Sequence, residues 1–478
     1  MSLSLRSLAS DTAIYGLSTI AGRFLTFLLT PFYTHYLSGP TEYGHIATIY
    51  TAIAFINIVY SFGFDTAFMR YYTHKDAEYR TRVFSNAFWG IVCISLTFTL
   101  LAIGIVSIFP VSLQGIGNSK NIIIGAALIP FLDALMIIPY ALLRMERRSK
   151  RFAVTKFAII VINVLLNILF VAMVRYGALG VIISGILSSL FGVILLSKEI
   201  RGSLTPTFDI PLAKEMIKFG LPTVPAAFSS IVLQLIDRPI LGILTDPRTV
   251  GIYQANYRLG IPMMMFVSVF ETAWKPFYLS NADKPEAKKI FSQVLTVFTA
   301  VCAIIFIGVV LFINDIVALP FRGTTFIHHQ YWVGLHIIPY ILAGYWFNGF
   351  YIQFSAGFHI TKQTKYLPIA MGTAAVTTVL CNLLLVPQWG IEGSAYAMMI
   401  SYFVAALFLY YFSRKIYPLS YEWKNIFLLI STALITVVFY EYMSPLSLLN
   451  KSVLFIGAFA AISIQLIQKK SILYRLKA

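Results

Sequence analysis

Three arginines, Arg23, Arg238 and Arg258, stand inside long apolar stretches of a chain in which only 12% of residues are charged. A guanidinium in such surroundings needs a counter-charge or a polar cavity. It is permanently charged, planar and multidentate, which suits an anionic ligand. Two carboxylates, Asp133 and Asp237, share these surroundings. Counting about 1.5 Å per residue along each stretch puts Arg23 level with Asp133 and Asp237 level with Arg258. Depth therefore allows two ion pairs, Arg23 with Asp133 and Asp237 with Arg258. One reading makes them structural pairs that fix helix packing. The other makes the arginines a cationic site for an anionic substrate. In that reading the anionic substrate displaces each carboxylate, and Asp133 and Asp237 are the ion-coupling candidates. Asp65 and Glu271 lie at the ends of their stretches and are gate candidates, paired with loop arginines or lysines.

Other chemistry is poorly represented. There is no phosphate-binding glycine loop, no nucleophile elbow and no His-Glu-x-x-His motif, so no catalytic residue is assigned. His328-His329 lacks further ligands at metal-binding spacing, and Cys93, Cys302 and Cys381 sit singly in apolar runs as small hydrophobes. No metal and no cofactor is expected.

The elements that must position these residues follow from hydropathy. The 478-residue chain is 58% hydrophobic, and its apolar runs are continuous rather than alternating. A bilayer core of about 30 Å takes about 20 helical residues, so each run reads as a transmembrane helix. Fourteen are predicted, near 12–34, 43–64, 83–109, 121–143, 153–174, 178–198, 219–244, 250–271, 290–313, 333–356, 367–386, 391–412, 425–442 and 450–467. Charge supports that parse. With the N-terminus cytoplasmic, 28 of the 36 Lys and Arg fall in cytoplasmic segments and 5 in outer ones, as the positive-inside rule requires. The reading is a multi-pass protein of the cytoplasmic membrane with both termini cytoplasmic. The net charge of +17 is then a matter of topology. Scattered over eight segments, it gives no patch for nucleic acid.

The sequence also repeats. Leu37-Ser-Gly-Pro40-Thr-Glu-Tyr-Gly44 matches Leu244-Thr-Asp-Pro247-Arg-Thr-Val-Gly251. Phe64-Asp65-Thr66-Ala67-Phe68 matches Phe270-Glu271-Thr272-Ala273-Trp274, and Ile129-Pro130-Phe131 matches Ile338-Pro339-Tyr340. Asn167, Val171, Gly177 and Gly180 match Asn382, Val386, Gly390 and Gly393. These collinear matches predict an all-α membrane fold of two pseudo-symmetric six-helix lobes, 1–200 and 219–415. A cytoplasmic linker with an amphipathic helix, 201–218, joins them, and 416–478 adds a helix pair with a basic tail. Two parallel repeats suggest alternating access by rocking of the lobes.

The segment Leu235-Ile-Asp237-Arg238 through Gly251-Ile-Tyr253-Gln-Ala-Asn-Tyr257 resembles the polysaccharide-transporter branch of the multidrug/oligosaccharidyl-lipid/polysaccharide flippase superfamily. So do Asn382-Leu-Leu-Leu-Val-Pro387-Gln-Trp-Gly390-Ile-Glu-Gly393, Tyr15-Gly16 with Pro31, and Leu37 through Gly44. The resemblance covers about 10–440. It implies a non-enzymatic flippase for undecaprenyl-diphosphate-linked oligosaccharide in O-antigen, capsule or exopolysaccharide synthesis. Membrane lipids, a polysaccharide polymerase and chain-length machinery are the implied partners. The alternatives are a peptidoglycan-precursor flippase, a drug/cation antiporter of the same superfamily, and a polytopic polymerase or glycosyltransferase. Three arginines against few carboxylates disfavour a cation carrier, and no loop is long enough for a catalytic domain.

Overall fold

The computed structural model describes residues 22–73, 76–109, 113, 119–321 and 323–467. The first part of the predicted first span, Tyr15-Gly16 and the basic tail lie outside the described residues. Helices follow the apolar runs. In chain order they are α1 (22–36), α2 (Pro40–Ser61), α3 (Phe64–Tyr71), α4 (Ala77–Ile108), α5 (Ser119–Met145), α6 (Ser149–Asn167), α7 (Gly177–Leu195), α8 (Ser197–Ser203), α9 (Ile210–Gly220), α10 (Val224–Leu235), α11 (Asp237–Leu244) and α12 (Pro247–Leu259). They continue with α13 (Ile261–Asn281), α14 (Ala287–Val317), α15 (Ile338–Ile360), α16 (Tyr366–Ile416), α17 (Trp423–Met443) and α18 (Leu448–Ile467). Among the described residues the strands amount to one short hairpin, Pro320–Phe321 with Thr324–Thr325. Among the described residues, ten helical segments are long and apolar enough to cross a membrane. Residue 236 separates α10 from α11, and residue 260 separates α12 from α13. The seventh and eighth predicted spans are thus each made of two helices.

The chain forms two compact units, one ending at Gln254 and one beginning at Ala255. This division falls later than the segment 201–218 at which the repeat divides the chain. The physical reason is that α10 and α11 pack on α2. The segment 201–218 is itself folded onto the first unit. Asp209 caps α9 by accepting from the Leu212 amide at 3.1 Å, and its own amide donates to Asn86 Oδ1 at 2.9 Å. The apolar face of α9, with Leu212 and Met216, joins a core with Phe64, Phe68, Phe84 and Leu142.

The repeat is visible in backbone detail. Gly177 and Gly390 both have a positive φ, of 54° and 52°. Asn167 and Asn382 are both buried, and each donates to the carbonyl four residues back, Asn163 and Thr378. Each also accepts from a hydroxyl, Tyr33 in one case and Ser394 in the other. Val171 and Val386 are buried in both halves. The first half has two more residues between its asparagine and its glycine, and there Ile168–Met173 is π-helical. The break at Gly390 also divides α16, whose 51 residues would otherwise run about 76 Å as one helix.

These glycines make a prediction. A Cβ at Gly390 meets nothing within 4 Å, so Gly390→Ala should lower stability only by the cost of its positive-φ backbone, about 1–3 kcal/mol. Gly177→Ala should be worse than Gly390→Ala, because its Cβ also runs into the Glu42 carboxylate. Thermal unfolding of the purified variants checks the order.

Candidate functional site: a polar cavity beside the second span

The first unit contains a cavity of about 460 Å³ between α2, α3 and α10. Asn57, Ser61, Asp65, Thr66 and Thr223 supply its polar wall, and Ala54, Ile58, Ala227 and Ile231 are among its apolar walls. The chain turns at Phe62-Gly63, both left-handed, with φ of 46° and 77°. That turn starts α3 afresh and puts Asp65 in its first turn, where a carboxylate is favoured by the helix dipole. Gly63 can take no side chain here, because its backbone rests on the backbone of Gly220 at the end of α9.

Behind the cavity wall lies Asp133. Ser189 donates to its Oδ1 at 2.7 Å, and Asn57 makes a second side-chain hydrogen bond to it. Asn57 therefore links the cavity lining to a carboxylate held among helices α2, α5 and α7. The partner expected from depth, Arg23, is not among the partners of Asp133. Arg23 is exposed on α1.

Asp237 likewise departs from the predicted pairing. Its partner is Arg238, its neighbour in sequence, with Nη1 at 2.5 Å from Oδ1. Tyr253 donates its hydroxyl to the other oxygen at 2.6 Å. Arg238 is 2% exposed. Its Nε donates to Gln254 Oε1, its Nη1 also donates to the Gln234 carbonyl, and its guanidinium lies over the Tyr253 ring. This buried cluster occupies the first unit where α11 meets α12. Arg258 is absent from it and lies partly buried near the end of α12. Glu271 is exposed on α13, close enough to act electrostatically on Tyr278 and Tyr351.

Of the residues singled out by sequence, the structure brings together Asp237 and Arg238, and places Asp65 and Asp133 on either side of Asn57. It makes neither depth-matched pair. Sequence reasoning missed Asn57, Ser61 and Ser189. Asn57 and Ser61 stand four apart in an apolar run with Asp65 four further on, a polar stripe that a helical wheel would have shown.

A helical, polytopic membrane protein with a polar cavity inside its span region is the architecture of a carrier. The sequence matches the polysaccharide biosynthesis protein family over residues 37–326. The chain belongs to that family, within the multidrug/oligosaccharidyl-lipid/polysaccharide flippase superfamily. Comparison with curated proteins finds no match. Solved structures share the fold. The lipid II flippase MurJ in an inward closed conformation is 17% identical, with a TM-score of 0.76 over 95% of this chain and 99% of that one. An inward-facing multidrug resistance MATE family transporter is 15% identical, with a TM-score of 0.65 over 86% and 96%. A transporter of the superfamily from Pyrococcus furiosus, described as having a binding pocket of reversed polarity, is 14% identical, with a TM-score of 0.59 over 85% and 95%.

Proposed function

We propose that this flippase moves a lipid-diphosphate-linked oligosaccharide across the cytoplasmic membrane, for assembly of a surface polysaccharide, by alternating access. The observation that carries the reading is that the family match, 37–326, contains every side chain lining the polar cavity. Hydroxyl, amide and carboxylate groups line it on one side, and such groups hydrogen-bond sugar hydroxyls. Arg23 and Arg258, each taken by itself, are the diphosphate candidates, because their charge is permanent and their planar donors match phosphate oxygens. Arg238 takes no part in this reading. Its Nε and Nη1 are engaged within a buried cluster, so it serves packing. Asp133, joined to the cavity through Asn57, is the coupling candidate. In this reading Asp65, on the cavity wall, contacts the sugar and remains the gate candidate.

The test is export of the glycan by cells carrying single variants that still reach the membrane. Arg23→Ala and Arg258→Ala should each reduce export by about two orders of magnitude, as loss of a charge-assisted contact of about 3 kcal/mol implies. The lysine versions should recover part of it. Normal export by both alanine variants would remove the diphosphate site from these residues. A cavity-wall variant such as Asp65→Leu should lower export without lowering protein level.

A further inference from the structure

The second unit carries a second cavity, which the transport reading leaves unused. It is a slot of about 440 Å³ with an almost wholly apolar lining from α15, α16 and α17. Its walls climb each helix by two turns: Phe347 to Phe354, Phe403 to Tyr410, and Trp423 to Ile430. Seven residues of helix rise about 10 Å, so the slot is a narrow vertical groove. It opens to the outside of the bundle, where Phe403 and Phe427 are 46% and 73% exposed. In a membrane-spanning fold that outside is lipid.

One end of the groove is basic. The Arg414 guanidinium lies 5.8 Å from the centre of the Tyr410 ring, and Tyr410 is the last wall residue on α16. Lys415 sits against Tyr411 at 4.8 Å, and Lys424 directly follows Trp423, the first wall residue on α17. All three cations are exposed. The one acid in this stretch, Glu422, is turned inward, accepting from Thr296 at 3.1 Å and from Asn425 at 2.9 Å. Tyr410, Tyr421 and Trp423 cluster there with ring centres 5.0–6.3 Å apart, the aromatic signature of a membrane interface.

We propose that this groove is a binding site for an anionic phospholipid, with one acyl chain in the slot and the phosphate held by Arg414 and Lys424. Within the slot the walls offer hydrocarbon and ring faces, which select a hydrocarbon chain. The basic rim at one end selects a negative head group joined to that chain. The length decides between lipids. A groove of about 10 Å lies within one leaflet, whose apolar depth is about 15 Å. It accommodates an acyl chain anchored at the interface, whereas a long polyprenyl chain would leave most of its length outside. The bound chain would fill the space between α17 and the α15–α16 pair, bracing the extra helices against the lobe.

Purified full-length protein, stripped of lipid in detergent, is titrated separately with phosphatidylglycerol, phosphatidylcholine and undecaprenyl phosphate. Bound lipid is read by native mass spectrometry and stability by thermal unfolding. Phosphatidylglycerol should remain bound and raise the melting midpoint, with phosphatidylcholine clearly weaker. Arg414→Ala and Lys424→Ala should each weaken phosphatidylglycerol binding about fivefold. Ala406→Phe, which fills the slot from the α16 side, should abolish the stabilisation. Equal binding of the two phospholipids, or unchanged phosphatidylglycerol binding by the double alanine variant, would overturn the head-group assignment. Preferential retention of undecaprenyl phosphate would overturn the choice of chain. The two rim residues are exposed, so their variants keep the question decidable even where Ala406→Phe fails to fold.

Discussion

Gly44→Ala and Gly251→Ala will each lower the melting midpoint and reduce glycan export far more than Gly104→Ala. The two glycines occupy the same place in the two copies of the repeat, one turn into α2 and one turn into α12. A Cβ on Gly44 would run into the carbonyl of Pro247, and a Cβ on Gly251 into the carbonyl of Pro40. The contact is reciprocal: each helix start rests its backbone on the other. Gly104, also helical, has nothing within 4 Å of its Cβ position and serves as the control. Overpacking among side chains costs about 1–3 kcal/mol because side chains shift. Here the obstacle is a peptide group within a packed helix turn, so about 3 kcal/mol or more is expected. The double variant should lose less than the sum of the singles, since both remove one contact. Behaviour like that of Gly104→Ala would show that the two helix starts are not held together.

The pair was legible in the sequence as a motif match, Pro40 to Gly44 against Pro247 to Gly251, but not as a contact. A repeat says which positions share an environment; it does not say that the two environments touch. Gly177 and Gly390 were legible for a stronger reason, because a glycine ending an apolar run marks a backbone turn that other residues resist. The runs themselves were legible because lipid demands continuous apolar helix. What failed was pairing by depth. Depth fixes the height of a side chain but not its azimuth, and each residue turns a helix by about 100°. Asp133 faces Asn57 and Ser189, so the arginine at its level never meets it. The breaks at Ile236 and Gly260 also shift later side chains around the axis, which a count along one straight span ignores.

Removing one member of the Asp237–Arg238 pair will unfold the protein, and removing the whole cluster will not. Asp237→Ala leaves a guanidinium that is 2% exposed without its carboxylate, and Arg238→Ala leaves the reverse. Breaking a buried pair costs about 3–5 kcal/mol, because the remaining charge stays desolvated and uncompensated. Little folded protein should elute from size exclusion for either single variant. Replacing both charges with apolar residues of similar volume is often neutral. The Tyr253 hydroxyl would then lose its acceptor, so the informative variant is Asp237→Leu with Arg238→Met and Tyr253→Phe. It should recover most of the wild-type melting midpoint. It should also export glycan, because Arg238 serves packing rather than the diphosphate. The outcome separates the two roles an intramembrane arginine can have. A triple variant that folds but does not export would return Arg238 to the substrate site, and would mean that its cluster opens during the transport cycle.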